Sequence, residues 1–280
     1  MMYKILEKQS LNPTVTRMVI DAPRVAKKAQ AGMFIILRVS ADGERIPLTI
    51  ADYDVNKGTV TIIFQIVGGT THKLNMLNAG DCICDFVGPL GVPSELDGLK
   101  KVAVIGGGVG CAIAYPIAKK LHALGATVHS VIGFRNKDLV ILQDEFKQVS
   151  DKLVLMSDDG SAGNKGLVTD ALKALIDKGN VYDEVIAIGP LVMMKFVSKL
   201  TKEYGIKTVV SMNPIMIDGT GMCGGCRLTV GGQMKFACVD GPDFDGHKVD
   251  FDEAIARSKM YAEFERHAYE KACNLFKTEK

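Results

Sequence analysis

The first hundred residues consist of short runs rich in apolar and β-branched residues, set apart by turn signals. M-Y-K-I-L-E-K, T-V-T-R-M-V-I-D, M-F-I-I-L-R-V, T-V-T-I-I-F-Q-I-V and D-C-I-C-D-F-V are the clearest. Asn12-Pro13, Gly43, Asn56-Lys57-Gly58 and Ala79-Gly80-Asp81 separate them. Short strands at regular spacing predict a small antiparallel barrel. Near residue 99 the period changes. K-V-A-V-I-G reads as a buried strand and G-C-A-I-A-Y-P-I-A-K-K-L as a helix. Strand and helix then alternate, with helices over D-L-V-I-L-Q-D-E-F, T-D-A-L-K-A-L-I and L-V-M-M-K-F-V-S-K-L, to a last strand K-T-V-V-S-M. That alternation predicts a doubly wound parallel sheet. Beyond it, C-R-L-T-V-G-G-Q-M-K-F-A-C reads as a hairpin turning at Val230 and Gly231-Gly232. Asp252 to Phe276 reads as a helix with a narrow apolar stripe of Tyr261, Phe264, Ala268, Ala272 and Leu275, which packs on the chain itself or docks a partner. The predicted class is an α+β multidomain chain with boundaries 1–98, 99–212 and 213–280.

Composition changes this picture little. The 280 residues are 47% hydrophobic and 24% charged, which describes an ordinary globular protein. A net charge of +2 gives no reason to expect nucleic acid or a membrane surface as partner. No N-terminal apolar run resembles a signal peptide and no stretch approaches a membrane span, so a reducing, cytoplasmic setting is expected. The seven cysteines are then read as ligands or core residues rather than disulfides. Cys82 and Cys84 alternate on one strand and read as buried packing residues, whereas Cys273 carries no signal.

The strongest chemical signal is D-G-T-G-M-C-G-G-C, Asp218 to Cys226, followed by Cys238. Soft thiolates at this spacing on a glycine-rich loop suit a metal. Three cysteines are one ligand short of a cluster or a tetrahedral zinc. Asp218 stands five residues before Cys223, where a C-x4-C-x2-C run places its first cysteine, and is read as the fourth ligand. Spacing alone leaves a [2Fe–2S] cluster, a zinc knuckle and free thiols open.

Two places in the barrel suggest a phosphate. In R-I-P-L-T-I, Arg45 can fork onto an anion, with Pro47, Leu48 and Thr49 alongside. In I-V-G-G-T-T, Ile66, Val67 and Gly68 lead into a helix start at Thr70 and Thr71, whose free N–H groups suit a second contact. Each is open to a plain reading, as a surface arginine or a helix cap. Together, ahead of a nucleotide-type domain, they favour a flavin. In that domain Gly106, Gly107, Gly108, Val109 and Gly110 end the first strand and open a helix, as a pyrophosphate-binding turn does. The match to G-x-G-x-x-G is imperfect because Cys111 takes the last glycine place, and a merely tight strand–helix turn stays open. Arg135 and Lys137 follow the second strand and could accept a 2′-phosphate, whereas Asp158 and Asp159 follow the third and could face a ribose hydroxyl; a merely solvated loop stays open for either set.

At R-I-P-L-T-I and V-G-G-T-T the chain resembles the ferredoxin–NADP⁺ reductase superfamily, in which an Arg-x-Pro-x-Thr/Ser strand holds the flavin. G-P-L-V-M-M, with Gly189, Pro190 and Met193, resembles its nicotinamide-side loop, and G-P-L-G, Gly88 to Gly91, its hinge after the barrel. Barrel, nucleotide sheet and cysteine module in this order resemble one branch, which holds the electron-transfer subunits of dihydroorotate dehydrogenase and of NADH-dependent ferredoxin:NADP⁺ oxidoreductase, also called sulfide dehydrogenase. Asp218 and the G-P-D-F-D-G-H-K-V-D-F-D-E tail favour the second. The resemblance implies FAD in residues 1–98, NAD(H) in 99–212 and a [2Fe–2S] cluster in 213–280. It also implies a larger partner with flavin and [4Fe–4S] clusters, similar to the small subunit of glutamate synthase, and ferredoxin as a reactant of the complex. The expected role is electron transfer in a bifurcating oxidoreductase, with a dihydroorotate dehydrogenase subunit or a non-catalytic nucleotide or metal sensor as alternatives. Since cofactors carry this chemistry, no acid–base catalytic residue is assigned.

Overall fold

A computed structural model describes residues 2–267 and 269–270. Seven strands form the first sheet: β1 (Tyr3–Asn12), β2 (Val15–Asp21), β3 (Phe34–Arg38), β4 (Arg45–Asp54), β5 (Thr59–Gln65), β6 (Cys82–Ile83) and β7 (Asp85–Leu90), in the order β6-β1-β2-β5-β4-β3-β7. Only Cys84 separates β6 from β7, so the chain itself joins the two edges and nearly closes the barrel. Alternate residues fill the interior: Ile5, Met18 and Ile20, Ile35 and Leu37, Ile62 and Phe64 form one buried core. Cys82 and Cys84 are only half-buried, because Ile83 between them takes the inward position. Two short helices, α1 (Pro23–Ala26) and α2 (Gly69–Met76), lie between strands.

The second sheet holds β8 (Lys101–Gly107), β9 (Thr127–Phe134), β10 (Lys152–Ser157), β11 (Asn164–Lys165), β12 (Glu184–Ile188) and β13 (Thr208–Ser211). Its helices are α3 (Cys111–Ala123), α4 (Gln143–Gln148), α5 (Val168–Asp177) and α6 (Leu191–Glu203). The strand order β11-β10-β9-β8-β12-β13 is parallel throughout and reverses direction of growth at β8, so the topological switch lies between β8 and β12. The helix expected over 138–146 starts later, at Gln143, because Leu142 before it is in the left-handed region with φ 56°.

The cysteine stretch follows β13. Its hairpin pairs β14 (Arg227–Val230) with β15 (Gln233–Phe236). The turn is Gly231-Gly232, with φ of 59° and 76°, the pair of positive values that a two-residue hairpin loop requires. A short helix α7 (Ala237–Asp240) carries Cys238, and β16 (Asp243–Asp245) then returns to pair antiparallel with β13 as the outermost strand of the second sheet. Residues 213–242 are thus an excursion between two neighbouring strands. The terminal helix is broken: α8 (Phe251–Ser258) ends, turns follow at 259–261, and helix resumes at 262. Tyr261 and Phe264 are exposed. The stripe residues Ala268, Ala272 and Leu275, and Cys273, lie outside the described residues. No helix among the described residues is long and apolar enough to cross a membrane.

Candidate functional site

The register of β3 with β4 decides which side chains face the same way. Phe34 pairs with Thr49, Ile36 with Pro47 and Arg38 with Arg45, so these six share the outer face of the barrel. Ile35–Leu48 and Leu37–Ile46 share the inner face. Leu48 and Ile66 are half-buried and pack against the barrel core. Arg38 is held by Asp85, Nε to Oδ2 at 2.6 Å, whereas Arg45 is exposed at the start of β4.

The N-terminus of α2 meets this strand. Thr70 Oγ1 donates to Glu44 Oε2 at 3.0 Å, which places the helix start beside Arg45. The first turn-closing bond runs from His72 N–H to the Gly68 carbonyl, so the N–H groups of Gly69, Thr70 and Thr71 point out of the helix end. The Thr71 hydroxyl is spent differently: it accepts from the N–H groups of Val67 and Gly68, each at 3.0 Å. An arginine and a helix N-terminus converging on one exposed surface fit the phosphates of a flavin nucleotide.

A cavity of about 930 Å³ opens at the carboxyl ends of the second sheet. Gly107, Gly108, Val109, Gly110, Gly189, Pro190 and Met193 line its floor at the switch between β8 and β12. Gly106 lies behind them, where a Cβ would stand 2.8 Å from Cys111 Sγ, so the cysteine in the last glycine place fills the space beside the turn. The two glycine loops touch: a Cβ on Gly110 would stand 2.5 Å from the Ile188 carbonyl oxygen and 2.7 Å from Gly189 Cα. Arg135 and Asp158 line the cavity from the ends of β9 and β10. Asp159 turns to Ser161 instead, with Oδ1 accepting from its N–H at 2.9 Å and its hydroxyl at 2.6 Å, and that hydroxyl holds its carboxyl below the usual range. Sequence reasoning missed Asn12, Thr14 and Gln65, which line the cavity from the barrel, and Phe196 on α6 and Asn213 at the start of the cysteine stretch. None belongs to a motif; only the packing of barrel on sheet brings them there. A cavity bounded by the switch loops, the barrel and the cysteine stretch fits a dinucleotide lying between them.

In the cysteine stretch, Cys226 and Cys238 are buried with their Sγ atoms 3.3 Å apart, and Cys223 is exposed. Asp218 organises the loop, with Oδ1 accepting from Thr220 N–H and Oδ2 from Cys223 N–H, each at 2.9 Å. Those N–H groups, Thr220 first, hold its carboxyl below the usual range. Gly219, Gly221 and Gly224 have φ of 77°, 82° and 65°, the conformations that fold the loop around its centre. Burial pushes the Cys238 thiol above its usual range, with Cys226 adding to it. A bound cation reverses that cost, since a ligating thiol is deprotonated outright. Among the described residues, no three His, Cys, Asp or Glu side chains gather around one point as a single ion requires. Two buried thiols side by side, with a third thiol and a carboxylate on the same loop, are donors that a metal or an iron–sulfur cluster takes.

The cysteine loop rests on the barrel. A Cβ on Gly219 would stand 2.7 Å from Leu90 Cδ1 and 2.8 Å from Ile36 Cδ1. Ile36 belongs to the outer face that carries Pro47, so the proposed flavin strand and the cysteine loop are neighbours.

The comparisons with known proteins agree with this geometry. A family described as the iron–sulfur cluster binding domain of dihydroorotate dehydrogenase B matches residues 213–250. An uncharacterized protein in the adh 3′ region of Clostridium beijerinckii is 54% identical, covering 93% of this chain and 90% of that one. A dihydroorotate dehydrogenase B (NAD(+)) electron transfer subunit homolog of Thermotoga maritima is 48% identical, with 96% and 94% covered. Among solved structures, one from work on flavin-based electron bifurcation by an NADH-dependent reduced ferredoxin–NADP oxidoreductase superposes with a TM-score of 0.92 at 47% identity, covering 97% of this chain and 98% of that one. Barrel, switch-point cavity and cysteine loop thus stand in the order and fold of these relatives, and the chain belongs to the family of electron-transfer subunits that joins dihydroorotate dehydrogenase B to the ferredoxin–NADP oxidoreductases.

Proposed function

We propose that the chain exchanges electrons with NAD(H) and relays them through FAD and a [2Fe–2S] cluster to a larger subunit, as the small subunit of a bifurcating NADH-dependent ferredoxin:NADP⁺ oxidoreductase. The observation that supports this best is the single outer face on which Arg45, Pro47 and Thr49 stand next to the seat of the cysteine loop. The cofactors supply hydride and one-electron chemistry; the chain supplies binding and orientation.

In this reading Arg45, Thr49 and the N–H groups of Thr70 and Thr71 would hold the flavin phosphates, and Pro47, Leu48, Ile66, Val67 and Gly68 would complete the flavin site. The Gly106–Gly110 turn takes the pyrophosphate of NAD(H) on its N–H groups. Gly189, Pro190 and Met193 cover the nicotinamide end, and Arg135 and Asp158 compete for the ribose. Asp159 contributes through the turn it makes with Ser161. Asp218, Cys223, Cys226 and Cys238 hold the cluster. The units are 1–98 for FAD, 99–212 for NAD(H) and 213–280 for the cluster, with β16 stitched to the second. The partner resembles the small subunit of glutamate synthase and reaches ferredoxin, in the cytoplasm.

The names of the relatives favour a second reading, the electron-transfer subunit of an NAD-dependent dihydroorotate dehydrogenase. Native purification under anaerobic conditions separates the two. The first predicts a larger flavin and iron–sulfur subunit and NADH-dependent NADP⁺ reduction that requires reduced ferredoxin. A partner that oxidises dihydroorotate, with no ferredoxin requirement, overturns it. NADH should reduce the flavin faster than NADPH; the reverse preference in stopped-flow reduction would bring Arg135 forward.

A further inference from the structure

Asp243 holds a carboxyl that none of the three sites uses. It opens β16 opposite Ser211, and its Oδ1 atom is sealed from solvent. Its Oδ2 atom accepts a hydrogen bond from the Ser94 hydroxyl at 2.5 Å. Ser94 lies on the segment that leaves the barrel for the second sheet. Burial pushes the carboxyl above its usual range, and the hydroxyls of Ser94 and Ser211 oppose that shift.

Three pieces of backbone meet around this carboxyl. Val92 N–H donates to the Gly241 carbonyl at 2.7 Å, Met212 N–H to the Pro242 carbonyl at 2.9 Å, and Ser94 N–H to the Ala31 carbonyl at 3.0 Å. The approach is close: a Cβ on Gly91 would stand 3.0 Å from both the Gly241 oxygen and Pro242 Cδ. Met212 ends the chain before the cysteine stretch, and Gly241–Asp243 is where the chain returns from it. Both ends of that stretch are thus tied to each other and to the exit of the barrel. Cys238 is three residues from Gly241, on α7.

A buried carboxyl costs free energy unless its hydrogen bonds are met, so an apolar residue would serve mere packing as well or better. A carboxyl aimed at one hydroxyl selects one arrangement of the segments that bear them. We propose that Asp243, through Ser94, is a positioning residue that fixes the cysteine loop against the flavin strand and so sets the gap between the cluster and the flavin. This rests on the functional reading above.

The test uses the full chain loaded with FAD and cluster, as Asp243→Ala, Asp243→Asn and Ser94→Ala. Asn keeps an acceptor for the Ser94 hydroxyl and should restore what Ala loses. In Asp243→Ala and Ser94→Ala, flavin reduction by NADH should match wild type. The following phase, cluster reduction read by rapid-freeze EPR, should slow several-fold, since electron tunnelling falls off steeply as the gap between donor and acceptor widens. The cluster's EPR line shape should be unchanged. Independently of turnover, amide exchange at Val92 and Met212 should speed up in the Ala variants and return toward wild type in Asp243→Asn. Cluster reduction at the wild-type rate in both Ala variants would overturn the proposal, as would failure of Asp243→Asn to rescue while cluster is lost from all three. A wild-type chain that binds no flavin or no cluster would overturn the functional reading instead, and the proposal with it.

Discussion

Arg45 and Asp218 each carry one charge into a place where the chain has few alternatives. Arg45 is exposed and its register neighbour Arg38 is already bound to Asp85, so among the described residues on this face of β3 and β4 Arg45 is the arginine left for a phosphate. A charge-assisted hydrogen bond contributes roughly 1.5–3 kcal/mol, so Arg45→Ala should weaken FAD binding about 10- to 150-fold, measured by flavin retention on dilution. Full occupancy in that variant at low flavin concentration would remove Arg45 from the site. Asp218 is proposed as a cluster ligand, and in the structure its oxygens bond the N–H groups of Thr220 and Cys223. The variants separate the two roles. Asp218→Cys should keep a [2Fe–2S] cluster and shift its midpoint potential and visible spectrum, because ligand type and net charge set the potential. Asp218→Asn should keep part of the loop's hydrogen bonding yet give a labile cluster. Iron and sulfide analysis with EPR decides, and an unchanged signal in Asp218→Asn would leave Asp218 with the loop alone.

At the scale of elements, the Gly106–Gly110 turn reads as a motif, but its tolerance is set by a loop about eighty residues away. Gly110 has ordinary helical φ, so backbone conformation does not demand glycine there. The demand comes from β12, whose Ile188 carbonyl and Gly189 occupy the space of a side chain. Gly110→Ala should therefore push the two switch loops apart at a cost of about 1–3 kcal/mol. The expected outcome is a raised Kd for NADH in fluorescence titration with flavin content unaltered; a wild-type Kd would mean that the loops yield. Helix α2 shows the same division of labour. Its Thr71 hydroxyl closes the cap, and Thr71→Val should cost about 1 kcal/mol of stability through loss of that cap. Thermal unfolding of the apoprotein should register it without any ligand present.

For the whole molecule, the outer faces of the barrel matter more than its interior. Val15, Ala51 and Ile63 pack with the second sheet's residues in one core, and Phe34 and Ile36 pack with the cysteine module in another. The Lys119–Asp52 ion pair, 2.8 Å, adds a contact between α3 and β4, but it is exposed and worth little. The seat of the cluster is thus apolar packing. Ile36→Ala should cost about 2–5 kcal/mol and loosen Gly219 above it. Iron should then pass to a chelator faster than in wild type. An unaltered rate would show that β16 and the Asp243 contact hold the module without this seat.

Much of this chain was legible as sequence. The change from short β-rich runs to strand–helix alternation marked the barrel and the parallel sheet, because each period reflects which faces of an element must be buried. The Gly106–Gly110 turn, Arg45 and the Asp218–Cys238 set stand out in the sequence as proposed anion and metal sites, because anions and metals need particular groups at particular spacings. Periodicity ran out where burial comes from another element. It drew one terminal helix where two are separated by turns, and it could not place β16 beside β13. Asn12, Gln65 and Asn213 met the switch-point cavity, and Ser94 met Asp243, only through tertiary packing. Those meetings join residues dozens to well over a hundred positions apart, and a local pattern carries no information about which distant surface a side chain will face.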